Sequence, residues 1–244
     1  MKSFICTYHK TGTVLIDAIA QRLIARDVIK TWRGEIDAEP DYWDLRTIDH
    51  ADRHYDDMLK DSPDHRYVVI VRDPRDVIVS GAYYHMTSHE PWLHEPYDGR
   101  DGETYHNMIN AEKDMQARFA FELERTGRKT ITAMTALPVH KENVLRLQLE
   151  DLVTDESLLP FSQMFDFLGF PPEKKDIWME ICWKSSLFGG KAGKRSPHAR
   201  GGQPGEWKTE LSPEVLALYE TRFGAPHRTL GYPDDGWQPR SERG

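Results

Sequence analysis

The sequence predicts an α/β fold: a single domain over residues 1–244 with a central, mainly parallel β-sheet flanked by helices. Three observations predict it. Phe4-Ile5-Cys6-Thr7-Tyr8 is a short apolar, β-branched and aromatic run, and after it Val14, Leu15, Ala18, Ile19 and Leu23 fall at helical spacing. Tyr67-Val68-Val69-Ile70-Val71 is a continuous apolar run of the kind buried on both faces of a parallel sheet. Strand patterns then alternate with helix patterns, with no internal repeat and no linker long enough to divide the chain.

In chain order, Val28–Trp32 and Leu45–His50 read as short strands on either side of a loop rich in Asp, Glu and Pro. The Tyr67–Val71 strand ends in Arg72-Asp73-Pro74-Arg75-Asp76, and a helix follows through Val77, Ile78, Ser80, Ala82 and Tyr83. Asp73 suits its N-cap and Pro74 its first turn. Residues 87–105 are irregular. One long helical pattern spans about Glu103–Thr126, with Met108, Ile109, Met115, Phe119 and Phe121 as inward positions. Val144–Leu149 alternates as a strand, helices follow near Phe161–Leu168 and Lys174–Phe188, and a loop rich in Gly, Lys and Arg covers 189–205. Ser212-Pro213-Glu214 opens the last helix with a cap, a first-turn proline and a dipole-complementing acid.

At 244 residues the chain suits one large α/β domain and is short for two. A net charge of −8 argues against a general nucleic-acid binder, so an anionic ligand must be held by a local basic cluster against the overall field. Cys6 and Cys182 read as buried free thiols. No stretch resembles a membrane span or a signal peptide, which makes a cytoplasmic protein the default expectation.

Between first strand and first helix lies His9-Lys10-Thr11-Gly12-Thr13, with one lysine, two hydroxyls and one glycine. Such a turn aims backbone N–H groups and a helix N-terminus at one point, which suits a phosphate or sulfate group. It is not a Walker A loop, because the lysine precedes the only glycine. An ordinary βα turn with a chance lysine is the alternative. Two further segments fall where this fold gathers ligand contacts: Arg72 with Ser80, and the glycine-rich stretch from His198 to Lys208. Arg72 pairing with Asp73 or Asp76, and a solvated tail loop, are the bland readings of these two. Together the three segments favour a nucleotide carrying more than one phosphate.

These motifs resemble those of the sulfotransferases that use 3′-phosphoadenosine 5′-phosphosulfate (PAPS). Thr7-Tyr8-His9-Lys10-Thr11-Gly12-Thr13 is similar to the family's 5′-phosphosulfate loop, with His9 where proline is usual. Arg72 to Ser80 resembles its 3′-phosphate motif, and Arg200-Gly201-Gly202-Gln203-Pro204-Gly205-Glu206-Trp207-Lys208 its closing segment, with Gly201 where lysine is usual. Leu147–Leu152 and Phe165–Gly169 stand where the family has Tyr-Glu-Asp-Leu and Phe-Leu-Gly. Leu15 and Leu149 replace aromatic residues found in many relatives, which leaves the adenine pocket undefined. The resemblance implies a P-loop-NTPase-like sulfotransferase fold with PAPS as cosubstrate, adenosine 3′,5′-bisphosphate as product and no metal. It implies that Lys10 stabilises the leaving group, and that His9, Thr11, Gly12, Thr13 and Val14 line the 5′ side. Arg72, Ser80 and Arg200 would hold the 3′-phosphate, and Gly201 and Gly202 would also line the cofactor, with one phosphate contact fewer for want of the usual lysine. His50, at a predicted strand end, would be the general base, with His54 or a carboxylate, Asp49 or Asp52, as alternatives.

Residues 87–106 are the expected acceptor-side lid, with Tyr84, His85, Trp92 and Tyr97 as candidate contacts to a small-molecule acceptor, and 189–206 the expected loop over the cofactor. The lid's acidic and aromatic residues favour a cationic or amine-bearing acceptor, against the alternative of a solvated acidic loop. His85, His89, His94 and His106 lack tight metal-ligand spacing. Pro213 breaks the dimerisation pattern of some relatives, so oligomeric state is open. A P-loop-type kinase or hydrolase, disfavoured by the missing Walker A pattern, and a silent nucleotide-binding module stand as the other classes.

Overall fold

The computed structural model describes residues 2–31, 44–48, 51, 56, 65–97, 102–137, 141–186, 188–189 and 203–240. Two compact units can be described separately: Met1–Arg72, Ala136–Gly202 and Gln238–Gly244 form one, Asp73–Thr135 and Gln203–Trp237 the other.

The first unit holds the sheet. Its strands are β1 (Lys2–Cys6), β2 (Lys30–Thr31), β3 (Asp44–Ile48), β4 (His65–Val71) and β5 (Val144–Gln148). Their order is β2-β3-β1-β4-β5, and every pairing is parallel. The apolar run in β4 is buried from Tyr67 to Val71 because it lies between β1 and β5 with both faces covered. Phe4 and Tyr67 are register partners, and their rings stack at 4.7 Å. Helices α1 (Thr13–Ala25), α6 (Leu149–Thr154), α7 (Leu159–Leu168) and α8 (Lys175–Ser185) belong to this unit. A core of Ile5, Ile16, Leu23, Val68, Ile70, Phe161, Phe165 and Trp178 joins strands to helices. Ser3, fully buried, donates its hydroxyl to the Leu168 carbonyl at 2.9 Å, which satisfies a polar group under α7.

The second unit is helical: α2 (Pro74–Thr87), α3 (Tyr105–Ala111), α4 (Met115–Leu123), α5 (Thr126–Thr135), α9 (Trp207–Glu210), α10 (Pro213–Phe223) and α11 (Pro226–Thr229). Helix α2 is its centre, packed by α3, α4, α5, α9 and α11. The expected caps are present, since Asp73 accepts from the Arg75 N–H and Ser212 from the Val215 N–H. The single helix expected over Glu103–Thr126 is instead two. Glu112 takes an extended conformation, and Asp114 starts α4 afresh by accepting from the Ala117 N–H. Ile109 and Phe119 are buried as expected, whereas Met108, Met115 and Phe121 are only partly so. No described helix is long and apolar enough to cross a membrane.

Candidate active site

In an open parallel sheet, ligands bind beyond the carboxyl ends of the strands where successive connections run to opposite sides. Here that point lies between β1 and β4, since the chain proceeds from β1 to the β3/β2 edge and from β4 to β5. The turn after β1 and Arg72 after β4 both stand there.

The turn is held by its own hydroxyls. Thr11 is fully buried. Its Oγ1 accepts from the Tyr8 N–H at 2.7 Å and donates to the Tyr8 carbonyl at 3.1 Å, and its N–H reaches the same carbonyl at 3.2 Å. Thr7 and Thr13 hydroxyls lie 2.8 Å apart, closing the turn from β1 to α1. Lys10 adopts φ 63° and Gly12 φ 104°, both in the left-handed region. Helix α1 begins with no side-chain cap hydrogen bond and no acid in its first turn. Its leading N–H groups and dipole are thus presented as a helix N-terminus presents them to an anion. Arg72 completes the arrangement by donating Nη1 to the Lys10 carbonyl at 3.2 Å, so strand β4 braces the residue that carries the turn's cation.

Glycine suits position 12 on two counts, of which the backbone conformation is the stronger because a leucine tip can shift. Beyond its φ, an added Cβ would fall 2.7 Å from Leu149 Cδ1, the first residue of α6. We expect Gly12→Ala to cost about 1–3 kcal/mol of stability and to weaken nucleotide binding about tenfold or more. Thermal melts of Gly12→Ala and of Gly12→Ala with Leu149→Ala separate the two causes, because only the clash is relieved in the double variant. A melting temperature within 1 °C of wild type for the single variant would contradict the assignment.

Lys10, Thr11, Gly12, Thr13, Val14 and Arg72 are therefore brought together, with Val14 exposed at the start of α1 and His9 half-buried in the turn. Ser80 lies half-buried on α2. His50, Arg200, Gly201 and Gly202 lie outside the described residues, as do Asp49, Asp52 and His54. Ala51 is described, fully buried, and donates its N–H to the Thr7 carbonyl at 3.1 Å, which ties the chain after β3 to the base of the turn.

The acids beside Arg72 are engaged elsewhere. Asp73 holds Arg75 through two bonds, Nε to Oδ1 at 2.9 Å and Nη2 to Oδ2 at 2.8 Å. Asp76 accepts from the Gly205 N–H at 2.7 Å and the Trp207 N–H at 3.0 Å. This anchoring role is absent from the motif as read in sequence, because its partners are more than a hundred residues away.

Of the acceptor candidates, Tyr84 and Trp92 converge on Glu90. Tyr84 donates its hydroxyl to one oxygen and Trp92 Nε1 donates to the other at 2.6 Å. Burial, then Glu90, raise the Tyr84 phenol above its ordinary value. Tyr97 lies over Arg125 and Lys129, each 5.9 Å from its ring centre. His85 is fully buried and faces Glu122, so it stands behind this surface and not on it. Among the described residues no three His, Cys, Asp or Glu side chains are placed to hold a metal ion. Cys6 and Cys182 are buried and free, and burial pushes both thiols well up.

No curated protein sequence matches this one. Among solved structures, the mouse sulfotransferase SULT7A1 complexed with PAP is similar at 14% identity and TM-score 0.53, covering 94% of this chain and 88% of that one. Retinol dehydratase, in complex with androsterone and the inactive cofactor PAP, shares 15% identity at TM-score 0.46 over 98% of this chain and 83% of its own. The first of these likenesses concerns the fold, which is a sulfotransferase fold. The family model described as the sulfotransferase domain matches residues 1–228, nearly the whole length, and the chain belongs to that family.

Proposed function

We propose that this protein moves the sulfuryl group of PAPS to a hydroxyl or amine of a small-molecule acceptor. One observation carries the reading: an acid-free helix N-terminus, the left-handed Lys10–Gly12 turn and the Arg72 guanidinium meet at the carboxyl ends of β1 and β4. That donor set fits a multiply anionic nucleotide. PAPS would supply an activated sulfuryl group whose transfer needs mainly positioning and charge stabilisation. Gly12, Thr13 and Val14 direct N–H groups to the 5′ side, while Thr11, whose N–H and hydroxyl are engaged with Tyr8, shapes the turn. Lys10 neutralises charge on the leaving oxygen. Arg72, with Ser80 and Arg200 assigned from the sequence motifs, selects the 3′-phosphate, and Gly201 and Gly202, assigned in the same way, line the cofactor. His50 takes the acceptor's proton, and the Ala51–Thr7 hydrogen bond supports a base in the stretch after β3.

Tyr84, Trp92 and Tyr97 are the acceptor contacts of this reading, assigned from the sequence. Glu90, accepting from the Tyr84 hydroxyl and the Trp92 indole N–H, is an exposed carboxylate at the polar edges of two aromatic side chains, and such a surface favours an amine-bearing or cationic molecule. Adenosine 3′,5′-bisphosphate at a hundredfold excess over its Kd should raise the melting temperature by about 5–10 °C. A shift with ATP and Mg²⁺ but none with the bisphosphate would defeat the proposal. A screen of amines against neutral alcohols with labelled PAPS then identifies the acceptor class.

A further inference from the structure

Glu122 is a carboxylate in an apolar run, Phe119-Ala120-Phe121-Glu122-Leu123, and it is fully buried on α4. A buried charge is disfavoured unless its contacts repay desolvation, and an apolar side chain of similar volume generally serves stability better. Its Oε2 faces two donors, His85 Nδ1 at 2.7 Å and the Tyr105 hydroxyl at 2.8 Å. Its Oε1 has no hydrogen-bond partner among the described residues and lies against Gly81, where an added Cβ would fall 2.5 Å away. Gly81 is one turn before His85 on α2. One helix face therefore carries both the gap that admits the carboxylate and the imidazole that meets it.

His85 and Tyr105 bracket a single segment. His85 is in the last turn of α2, which ends at Thr87, and Tyr105 is the first residue of α3. The chain between them is drawn together by the Pro96–Thr104 bridge and by the Tyr97 N–H bonded to the Glu103 carbonyl at 2.8 Å. His106 Nδ1, 3.2 Å from the His85 carbonyl oxygen, adds a tie between the same two ends. The Tyr105 ring packs edge-on against His85, Trp92 and Tyr97 at 5.0, 5.6 and 5.4 Å, so its orientation passes to the aromatic surface above. Burial and the Glu122 carboxylate push the Tyr105 phenol far above its ordinary value, which keeps its hydroxyl a donor.

We propose that Glu122 is a positioning residue: one carboxylate oxygen, gripped by both ends of the segment between α2 and α3, fixes the surface that carries Trp92 and Tyr97. Its effect on turnover rests on the reading of that surface as the acceptor side. Tyr105→Phe removes one donor and keeps the ring, and Glu122→Gln keeps the shape and removes the charge. Hydrogen exchange of peptides covering 88–97 and 102–104 is expected to quicken about tenfold in each variant, against little change in β1 and β4. The acceptor KM should rise about five- to tenfold, with kcat and the KM for PAPS within about twofold of wild type. Unchanged exchange in both variants would overturn the grip itself. Faster exchange with an unmoved acceptor KM would overturn its link to the acceptor and leave sulfuryl transfer standing. Lack of PAPS turnover by the wild type would instead overturn the functional reading, with exchange still deciding the role of Glu122.

Discussion

Replacing Lys10 by methionine is expected to lower kcat by about 10²–10³-fold while changing the Kd for adenosine 3′,5′-bisphosphate by less than about tenfold. The bisphosphate lacks the sulfuryl group, so its binding reports ground-state contacts, whereas kcat reports charge that develops only as the bond to the leaving oxygen breaks. The backbone supports the distinction. A lysine at φ 63° sits in a conformation that costs roughly 1 kcal/mol for a residue with a Cβ, and its carbonyl is fixed by Arg72. Under the proposed function, the role of the side chain at the leaving group is what offsets that cost. His50→Ala should lose about 10²–10⁴-fold in kcat/KM but with a different signature, flattening the acidic limb of the pH profile. Equal losses in bisphosphate affinity and kcat for Lys10→Met would reassign the lysine to binding alone.

The sequence reveals the sheet and the turn because both are local. The run Tyr67–Val71 reads as a doubly covered strand and is one, and the residues of the turn are adjacent in the chain. The Asp73 and Ser212 caps are legible for the same reason. The misread helix over Glu103–Thr126 shows where locality fails. Ile109, Met115 and Phe119 keep a helical rhythm across the break, although Asp114 is a cap signal in plain view. Helix α5 was not legible, because Thr126-Gly127-Arg128-Lys129-Thr130-Ile131-Thr132 carries β-branched residues and a glycine that packing overrides. Glu122 offered one clue, a charge on an inward face between Phe119 and Leu123, but its partners His85 and Tyr105 come from two other helices.

The motif from Arg72 to Asp76 divides its labour, and the division predicts the largest loss of stability from a single side chain in the helical unit. Asp76→Ala is expected to cost about 3–5 kcal/mol, a fall in melting temperature of about 10 °C. The carboxylate is 1% exposed and accepts two backbone N–H groups, from Gly205 and Trp207. Its removal leaves both donors without their acceptor, and unmet buried donors cost more than the bonds themselves contribute. The neighbouring pair amplifies the effect. Arg75, 3% exposed, is held by Asp73, donates to the Asp234 and Pro233 carbonyls at 2.6 and 3.0 Å, and lies 3.8 Å over the Trp207 ring. If the Gly205–Trp207 backbone shifts, that stacking goes with it, so Asp76→Ala and Arg75→Met should be strongly non-additive in a double-mutant cycle. Asp76→Asn retains one acceptor oxygen and should recover about half of the loss. Under the proposed function the same substitution weakens bisphosphate binding, because Gly205 to Trp207 follows directly on the stretch holding Arg200, Gly201 and Gly202. Calorimetric melts decide the structural part, and an Asp76→Ala protein melting within about 2 °C of wild type would show that the two N–H groups find other acceptors.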